Sequence, residues 1–158
     1  MMTAPTNQAF FVVGHANWGK SRTLRALTGN SFRVRTMPLS NRTFRVGRMS
    51  NDDTPPSQRG VSPLQAWQQR IIRLQSRGHT HLLLTLCPNL EALPFLRLLS
   101  KSYRLYFWVI KQSFVSDAAI PPPQIASLRS LGKVEVSAGK HSDTARAAGL
   151  GAFISAHP

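Results

Sequence analysis

The clearest indication of the fold is the stretch AFFVVGHANWGKSRTLRAL, residues 9–27. The apolar residues 10–13 are β-branched and aromatic, which predicts a short buried strand that ends at Gly14. Residues 20–27 predict a helix, because Leu24 and Leu27 share one face and Gly29 follows the last turn. A strand that passes through a glycine-containing turn into a helix is typical of an α/β domain.

The turn itself fits the pattern G-x-x-x-x-G-K-[ST] at every fixed position. Its glycines let successive backbone N–H groups converge on phosphate oxygens, and the following helix adds its positive end. Lys20 would reach the β- and γ-phosphates, and the Ser21 hydroxyl would ligate Mg²⁺. The alternative is a purely structural glycine turn, in which Trp18 simply packs. The predicted nucleotide-binding residues of this loop are Gly14, His15, Ala16, Asn17, Trp18, Gly19, Lys20, Ser21 and Arg22.

Further elements alternate between strands and helices along the rest of the chain. Ser62 and Pro63 predict the start of a helix that Gly78 ends. Strands are predicted at 32–36, 43–48, 81–87, 103–110 and 133–139, with a turn at 37–41. Helices are predicted at about 91–100, at 125–132 after a proline-rich loop, and at 144–148. The alternation predicts one α/β domain over residues 1–158 with a mainly parallel sheet.

The charge balance is strongly basic, with 20 Lys and Arg against 6 Asp and Glu and a net charge of +14. Such a field attracts polyanions, so nucleotides, RNA, DNA or a ribosome are candidate partners; a merely basic protein is the alternative. The single cysteine, Cys87, excludes an internal disulfide framework and suits a reducing compartment. With no apparent signal sequence or membrane span, we expect a cytoplasmic protein without membrane contact.

The loop and its continuation to Gly29 resemble the phosphate-loop segment of the Era-type GTPases of the translation-factor class. The matching residues are Gly14, Asn17, Gly19, Lys20, Ser21 and residues 26–29. The resemblance implies a three-layer P-loop NTPase fold with an antiparallel edge hairpin, and Mg²⁺ with GTP as cofactors. Residues 53–55 are similar to the start of the family's Asp-x-x-Gly element, although Pro56 stands where the glycine belongs and has no N–H. This match implies that Asp53 holds Mg²⁺ and acts in catalysis with Lys20.

Two sequence elements near the end of the chain are relevant to which nucleotide base would be bound. Ser137 and Ala138 resemble the family's Ser-Ala element, which touches guanine. Residues 110–113 keep only Lys111 of the guanine-reading Asn-Lys-x-Asp, so the sequence leaves ATP and GTP open. The first switch loop is shortened or rebuilt, and Thr36 or Thr43 would replace its Mg²⁺-binding threonine.

A small P-loop nucleotide kinase is an alternative enzyme for the same loop. Asp52 and Asp53 would then act as base or Mg²⁺ partner, because strand 81–87 ends in Cys87 and carries no carboxylate. Guanidinium groups clamp phosphates well, and the candidate clamps are Arg59, Arg70 and Arg73. These arginines equally suit a solvated helix face.

A basic nucleic-acid-binding module that uses the nucleotide as a switch is the third possibility. Strand alternation places Arg33, Arg35 and Arg45 on one face of the predicted hairpin, with Arg42 and Arg48 at its margins. That face would contact a phosphate backbone, or it would only discourage pairing with other strands. The histidines lack ligand spacing with cysteine, so a zinc site is not expected.

Overall fold

A six-stranded sheet forms the centre of the computed structural model, which describes residues 6–15, 18–29, 36–53, 60–110, 119–137 and 142–158. The strands are β1 (Gln8–Val13), β2 (Thr36–Leu39), β3 (Arg42–Val46), β4 (His81–Leu86), β5 (Arg104–Ile110) and β6 (Gly132–Ser137). Their spatial order is β2-β3-β4-β1-β5-β6, and every neighbouring pair is parallel except β2 with β3. The predicted α/β class, mainly parallel sheet and antiparallel edge hairpin are confirmed.

β1 lies in the middle of the sheet, and all six of its residues are buried. It pairs with β4 on one side and β5 on the other, so Phe10 stands between Leu83 and Tyr106. A strand covered on both faces needs apolar side chains in both directions, which explains its unbroken apolar run.

Helices cover both faces of the sheet. They are α1 (Lys20–Leu27), α2 (Pro63–Ser76), α3 (Leu93–Leu99), α4 (Pro122–Arg129) and α5 (Asp143–Ser155). On one face, Phe10 stacks on Tyr106 and meets Phe153 of α5 edge-on, and α1 packs along α5. On the other face, Phe11 contacts Trp67 of α2, which in turn meets Phe95 of α3.

The edge hairpin differs from its prediction. The turn is confined to Ser40 and Asn41, both with positive φ, and residues 37–39 of the predicted turn belong to β2 instead. Met37 is buried and pairs with Phe44, while Pro38 is tolerated because an edge strand leaves N–H positions without a partner. Residues 32–35 of the predicted strand lie outside the described residues.

Two helices near the end of the chain start earlier or run further than predicted. α4 begins at Pro122, since proline fits the first helical turn, where no N–H partner is needed. α5 continues through Gly149 and Gly151 to Ser155, because Leu150, Phe153 and Ile154 are buried against the sheet. Tertiary packing therefore overrides the glycine stop signal.

The remaining boundaries agree with the sequence to within a few residues. α1 spans the predicted range, and the predicted Ser62 cap of α2 is confirmed by a capping box with Gln65. A 3₁₀ turn at Leu90–Ala92 precedes α3, where one continuous helix is predicted. No helix among the described residues is long and apolar enough to cross a membrane.

Candidate functional site

The loop with the pattern G-x-x-x-x-G-K-S, called the phosphate loop after that pattern, starts at the carboxyl end of β1, in the middle of the sheet. Gly14 donates to the carbonyl of Leu86 at 3.0 Å, so the loop leaves β1 beside the end of β4. The chain leaves β1 toward the β3 side of the sheet, whereas the connection from β4 crosses to β5 on the other side. Ligands of open α/β sheets bind at such a reversal of strand order, outside the carboxyl ends of the strands.

α1 begins inside the loop and points its positive end at this edge. Gly19 caps the helix in the left-handed conformation with φ 96°, and Thr23 Oγ1 donates to its carbonyl at 2.8 Å. Ser21 and Arg22 are exposed in the first turn, which carries no acidic residue. A helix N-terminus with exposed donors and no carboxylate attracts an anion.

Lys20 is the buried cation of the site. Its side chain is 8% exposed, and Nζ donates to the carbonyl of Gly14 at 2.6 Å. The same Nζ lies 3.6 Å from Oδ1 of Asp52. The lysine thus closes the loop from inside and faces a carboxylate.

The carboxylates come from the loop after β3, which reaches across the end of β4. Asn51 is buried and makes two hydrogen bonds with the backbone of Cys87: Cys87 N donates to Oδ1 at 2.7 Å, and Nδ2 donates to Cys87 O at 3.0 Å. Asp53 is exposed, and its Oδ2 accepts from Ser50 N at 2.7 Å. Asn51 therefore anchors the loop, and Asp52 is the carboxylate beside Lys20.

Asn51 and Arg146 belong to the site although the sequence motifs do not include them. The only signal for Asn51 is the run Asn-Asp-Asp after a strand, since such side chains bond nearby backbone. Arg146 of α5 is 1% exposed, and its Nη1 donates to the carbonyl of Trp18 at 2.6 Å. Nothing in the sequence distinguishes this arginine from a surface one.

His15 and Cys87 meet at the floor of the site, with Cys87 Sγ 3.5 Å from His15 Nδ1. Burial and then the nearby Asp52 raise the pKa of the Cys87 thiol to about 11, so the thiol stays protonated. Burial, and then Lys20, lower the pKa of His15, so its imidazole is neutral at pH 7. Trp18 is buried and packs edge-on against His15.

Oxygen atoms that suit Mg²⁺ are present at the site. Asp52 Oδ1 is buried, and no group in the described part of the chain donates a hydrogen bond to it. The Ser21 hydroxyl is on an exposed residue of the first helical turn. Mg²⁺ usually takes one or two carboxylates together with phosphate oxygens and water, so this donor set fits it. Across the same described residues, no group of three or more His, Cys, Asp or Glu could hold a metal ion.

Several predicted residues lie elsewhere or outside the described ranges. Ser137 ends β6, which is separated from β1 by β5, and is half-buried. The predicted residues outside the described ranges are Ala16, Asn17, Arg33, Arg35, Arg59, Lys111 and Ala138.

Arg42, which is predicted at the margin of an arginine-rich hairpin face, is bound by other groups of the protein. Arg45 is half-buried, while Phe44 and Val46 face the core as predicted. Arg42 instead donates to Gln8 Oε1 at 2.5 Å and to the carbonyls of His157 and Ile154 at 2.8 and 2.9 Å. Both terminal nitrogens of Arg42 therefore bind the protein itself, and its guanidinium also lies over the rings of Phe10 and Phe44.

Comparison of the chain with protein-family models, curated proteins and solved structures finds no match. The site must therefore be interpreted from its own chemistry. That chemistry is a buried ammonium group facing a carboxylate, at the positive end of a helix and at the carboxyl end of the central strand.

Proposed function

We propose that this chain binds a nucleoside triphosphate with Mg²⁺ and hydrolyses it. The observation that carries the proposal is the position of Lys20, whose buried ammonium group touches Gly14 O and Asp52 at the start of α1. A buried cation at a helix N-terminus, inside a loop of pattern G-x-x-x-x-G-K-S, suits the β- and γ-phosphates.

Each residue has a distinct part in the proposed reaction. Lys20 stabilises the charge that develops on the phosphoryl oxygens while the loop amides hold the β-phosphate. Ser21 and a carboxylate hold Mg²⁺, which neutralises phosphate charge when bound. Catalysis of this type depends on positioning and electrostatics and needs no covalent intermediate on the protein.

Asp52 is the better candidate for the metal-facing carboxylate. The resemblance implies Asp53, yet Asp53 is exposed and one of its oxygens accepts a hydrogen bond from Ser50 N. Asp52 lies beside Lys20, and its Oδ1 is buried without a hydrogen-bond donor in the part of the chain described. We therefore assign Mg²⁺ to Ser21 and Asp52, with Asp53 in a water-mediated or turn-forming position.

The proposed protein family and the identity of the nucleotide base rest only on the sequence resemblance. We propose a GTPase-like P-loop protein, supported by the phosphate loop and the antiparallel edge hairpin. The elements that would read the base include Lys111 and Ala138, which lie outside the described residues. ATP and GTP are accordingly both substrates to be tested.

Phosphoryl transfer to an acceptor is a second candidate, favoured by Asp52 Oδ1. A buried carboxylate oxygen without a donor among the described residues can accept the proton of an acceptor hydroxyl. Chromatography of products from labelled ATP and GTP, with and without nucleoside monophosphates, separates the two. Labelled diphosphate formed from an added monophosphate would contradict hydrolysis as the main reaction.

Calorimetry with ATP, GTP, ADP and GDP, each with and without Mg²⁺, tests the proposed function. The change is Lys20→Ala, and the exposed Lys101→Ala is the matched control. We expect Lys20→Ala to abolish binding with its far-UV circular dichroism spectrum retained, and Lys101→Ala to bind as wild type. Equal affinity of Lys20→Ala and wild type would overturn the proposal.

A further inference from the structure

Arg146 contacts the phosphate loop at two successive residues. Its Nη1 donates to Trp18 O at 2.6 Å, and a Cβ placed on Gly19 would lie 2.9 Å from the same nitrogen. The residue is 1% exposed, although it comes from α5, more than a hundred residues further along the chain. An ion contact of 4.0 Å between Arg22 and Asp143 joins the starts of α1 and α5 nearby.

Because the peptide bond is planar, this contact also determines the direction of a backbone N–H group in the loop. The described residues contain no cis peptide bond, so the carbonyl of Trp18 and the N–H of Gly19 point in opposite directions. Because Trp18 O points at Arg146, the Gly19 N–H points away from it. At the other end of the loop, Lys20 Nζ donates to Gly14 O, which fixes the direction of the His15 N–H in the same way.

Packing alone does not account for an arginine at this place. Removing a guanidinium group from water is costly unless its hydrogen bonds are satisfied inside the protein. A methionine of similar length would fill the same space without that cost. The bond to the loop carbonyl is one of the interactions that offset this cost.

We propose that Arg146 is a positioning residue of the phosphate loop, which turns the Trp18–Gly19 peptide so that the Gly19 N–H faces the bound phosphate. The inference rests on the proposed function and adds to it the group that orients the loop from outside the motif. Arg146 acts through the loop and does not itself touch the phosphate.

The test compares Arg146→Met and Arg146→Lys with wild type and with the exposed Arg129→Met as control. The probes are Mg²⁺-pyrophosphate, Mg²⁺-ADP and Mg²⁺-GDP, titrated well below the unfolding temperature of each variant. We expect Arg146→Met to bind about 10- to 100-fold more weakly, as for the loss of one hydrogen bond to a charged group. Arg146→Lys keeps one donor for Trp18 O and should stay within about fivefold of wild type.

An amide NMR spectrum supplies a readout that a purely structural role would not move. Addition of Mg²⁺-pyrophosphate should shift the Gly19 N–H resonance downfield in wild type and Arg146→Lys but not in Arg146→Met. Equal affinities and equal Gly19 shifts in Arg146→Met and wild type would overturn the inference and leave the proposed function standing. If wild type binds none of the probes, both proposals fail. If Arg146→Met does not fold, Arg146→Lys decides: a tenfold loss of affinity with the Gly19 shift of wild type contradicts the inference.

Discussion

Replacement of Gly19 by alanine tests the contact between α5 and the phosphate loop through protein stability alone. Gly19 has φ 96°, a conformation that costs an L-residue about 1–2 kcal/mol. The new methyl group would also stand 2.9 Å from Arg146 Nη1. The guanidinium is the end of a flexible chain and can move, but it must then give up its bond to Trp18 O. Losing a hydrogen bond of a charged group costs about 1.5–3 kcal/mol more.

Gly78→Ala supplies the matched control for the backbone cost. Gly78 has φ 81° after the end of α2, and a Cβ there would have no atom within 4 Å. We expect Gly19→Ala to lower the free energy of unfolding by about 1.5–3 kcal/mol more than Gly78→Ala. In a protein of this size that difference corresponds to roughly 3–12 °C in Tm.

Denaturant unfolding of both variants, each in wild-type and Arg146→Met backgrounds, measures the difference. In the Arg146→Met background, Gly19→Ala should cost only its backbone part, because the bond that the methyl group breaks is already gone. If Gly19→Ala and Gly78→Ala destabilise equally in the wild-type background, the contact between Arg146 and the loop does not exist as described.

Three further predictions concern the floor of the site. Asp52→Asn should lower Mg²⁺-dependent nucleotide affinity about tenfold or more, and Asp53→Asn should lower it less, as calorimetry with and without Mg²⁺ would show; the reverse order would favour Asp53 as the metal-facing carboxylate. Asn51→Ala leaves the backbone N–H of Cys87 without its partner and removes one of the two donors to its C=O, the other being the Asn89 N–H at 2.8 Å. It should cost about 2–4 kcal/mol of unfolding free energy, against less than about 0.5 kcal/mol for the exposed Asn89→Ala; similar values by urea denaturation would contradict the anchoring role. Burial and Lys20 hold the pKa of His15 below its ordinary value, so the unfolded chain takes up the proton first and stability is lost as the pH falls through about 6.5. Thermal unfolding between pH 8 and 5 should show this loss of stability, and a His15→Gln variant should show a smaller loss. Identical pH profiles of the variant and wild type would show that protonation of His15 does not cause the loss.

Much of the fold could be predicted because its signals are local. The near-continuous apolar runs of β1, β4 and β5 mark strands buried on both faces, and the Ser62–Gln65 capping box marks the start of α2. Errors arose where packing outweighed local propensity. Gly149 and Gly151 do not end α5, because apolar residues around them are buried against the sheet.

The site was predictable only as far as the loop motif extends. Gly14, Lys20 and Ser21 stand in a contiguous pattern, so spacing alone brings them together. The partner of Lys20 comes from a loop that crosses the end of β4, and its identity as Asp52 depends on how Asn51 binds the Cys87 backbone. Such a choice between adjacent carboxylates depends on one side chain's hydrogen bonds, which sequence spacing does not encode.

α5 is held by an arginine contact near each end. Arg146 in its second turn binds the phosphate loop, and Arg42 of β3 binds the carbonyls of Ile154 and His157 at its other end. The thirteen residues of α5 span about 20 Å, so this one helix connects the loop with the hairpin at the sheet edge. The loop and the hairpin are therefore attached to opposite ends of the same helix, although they lie far apart in the fold.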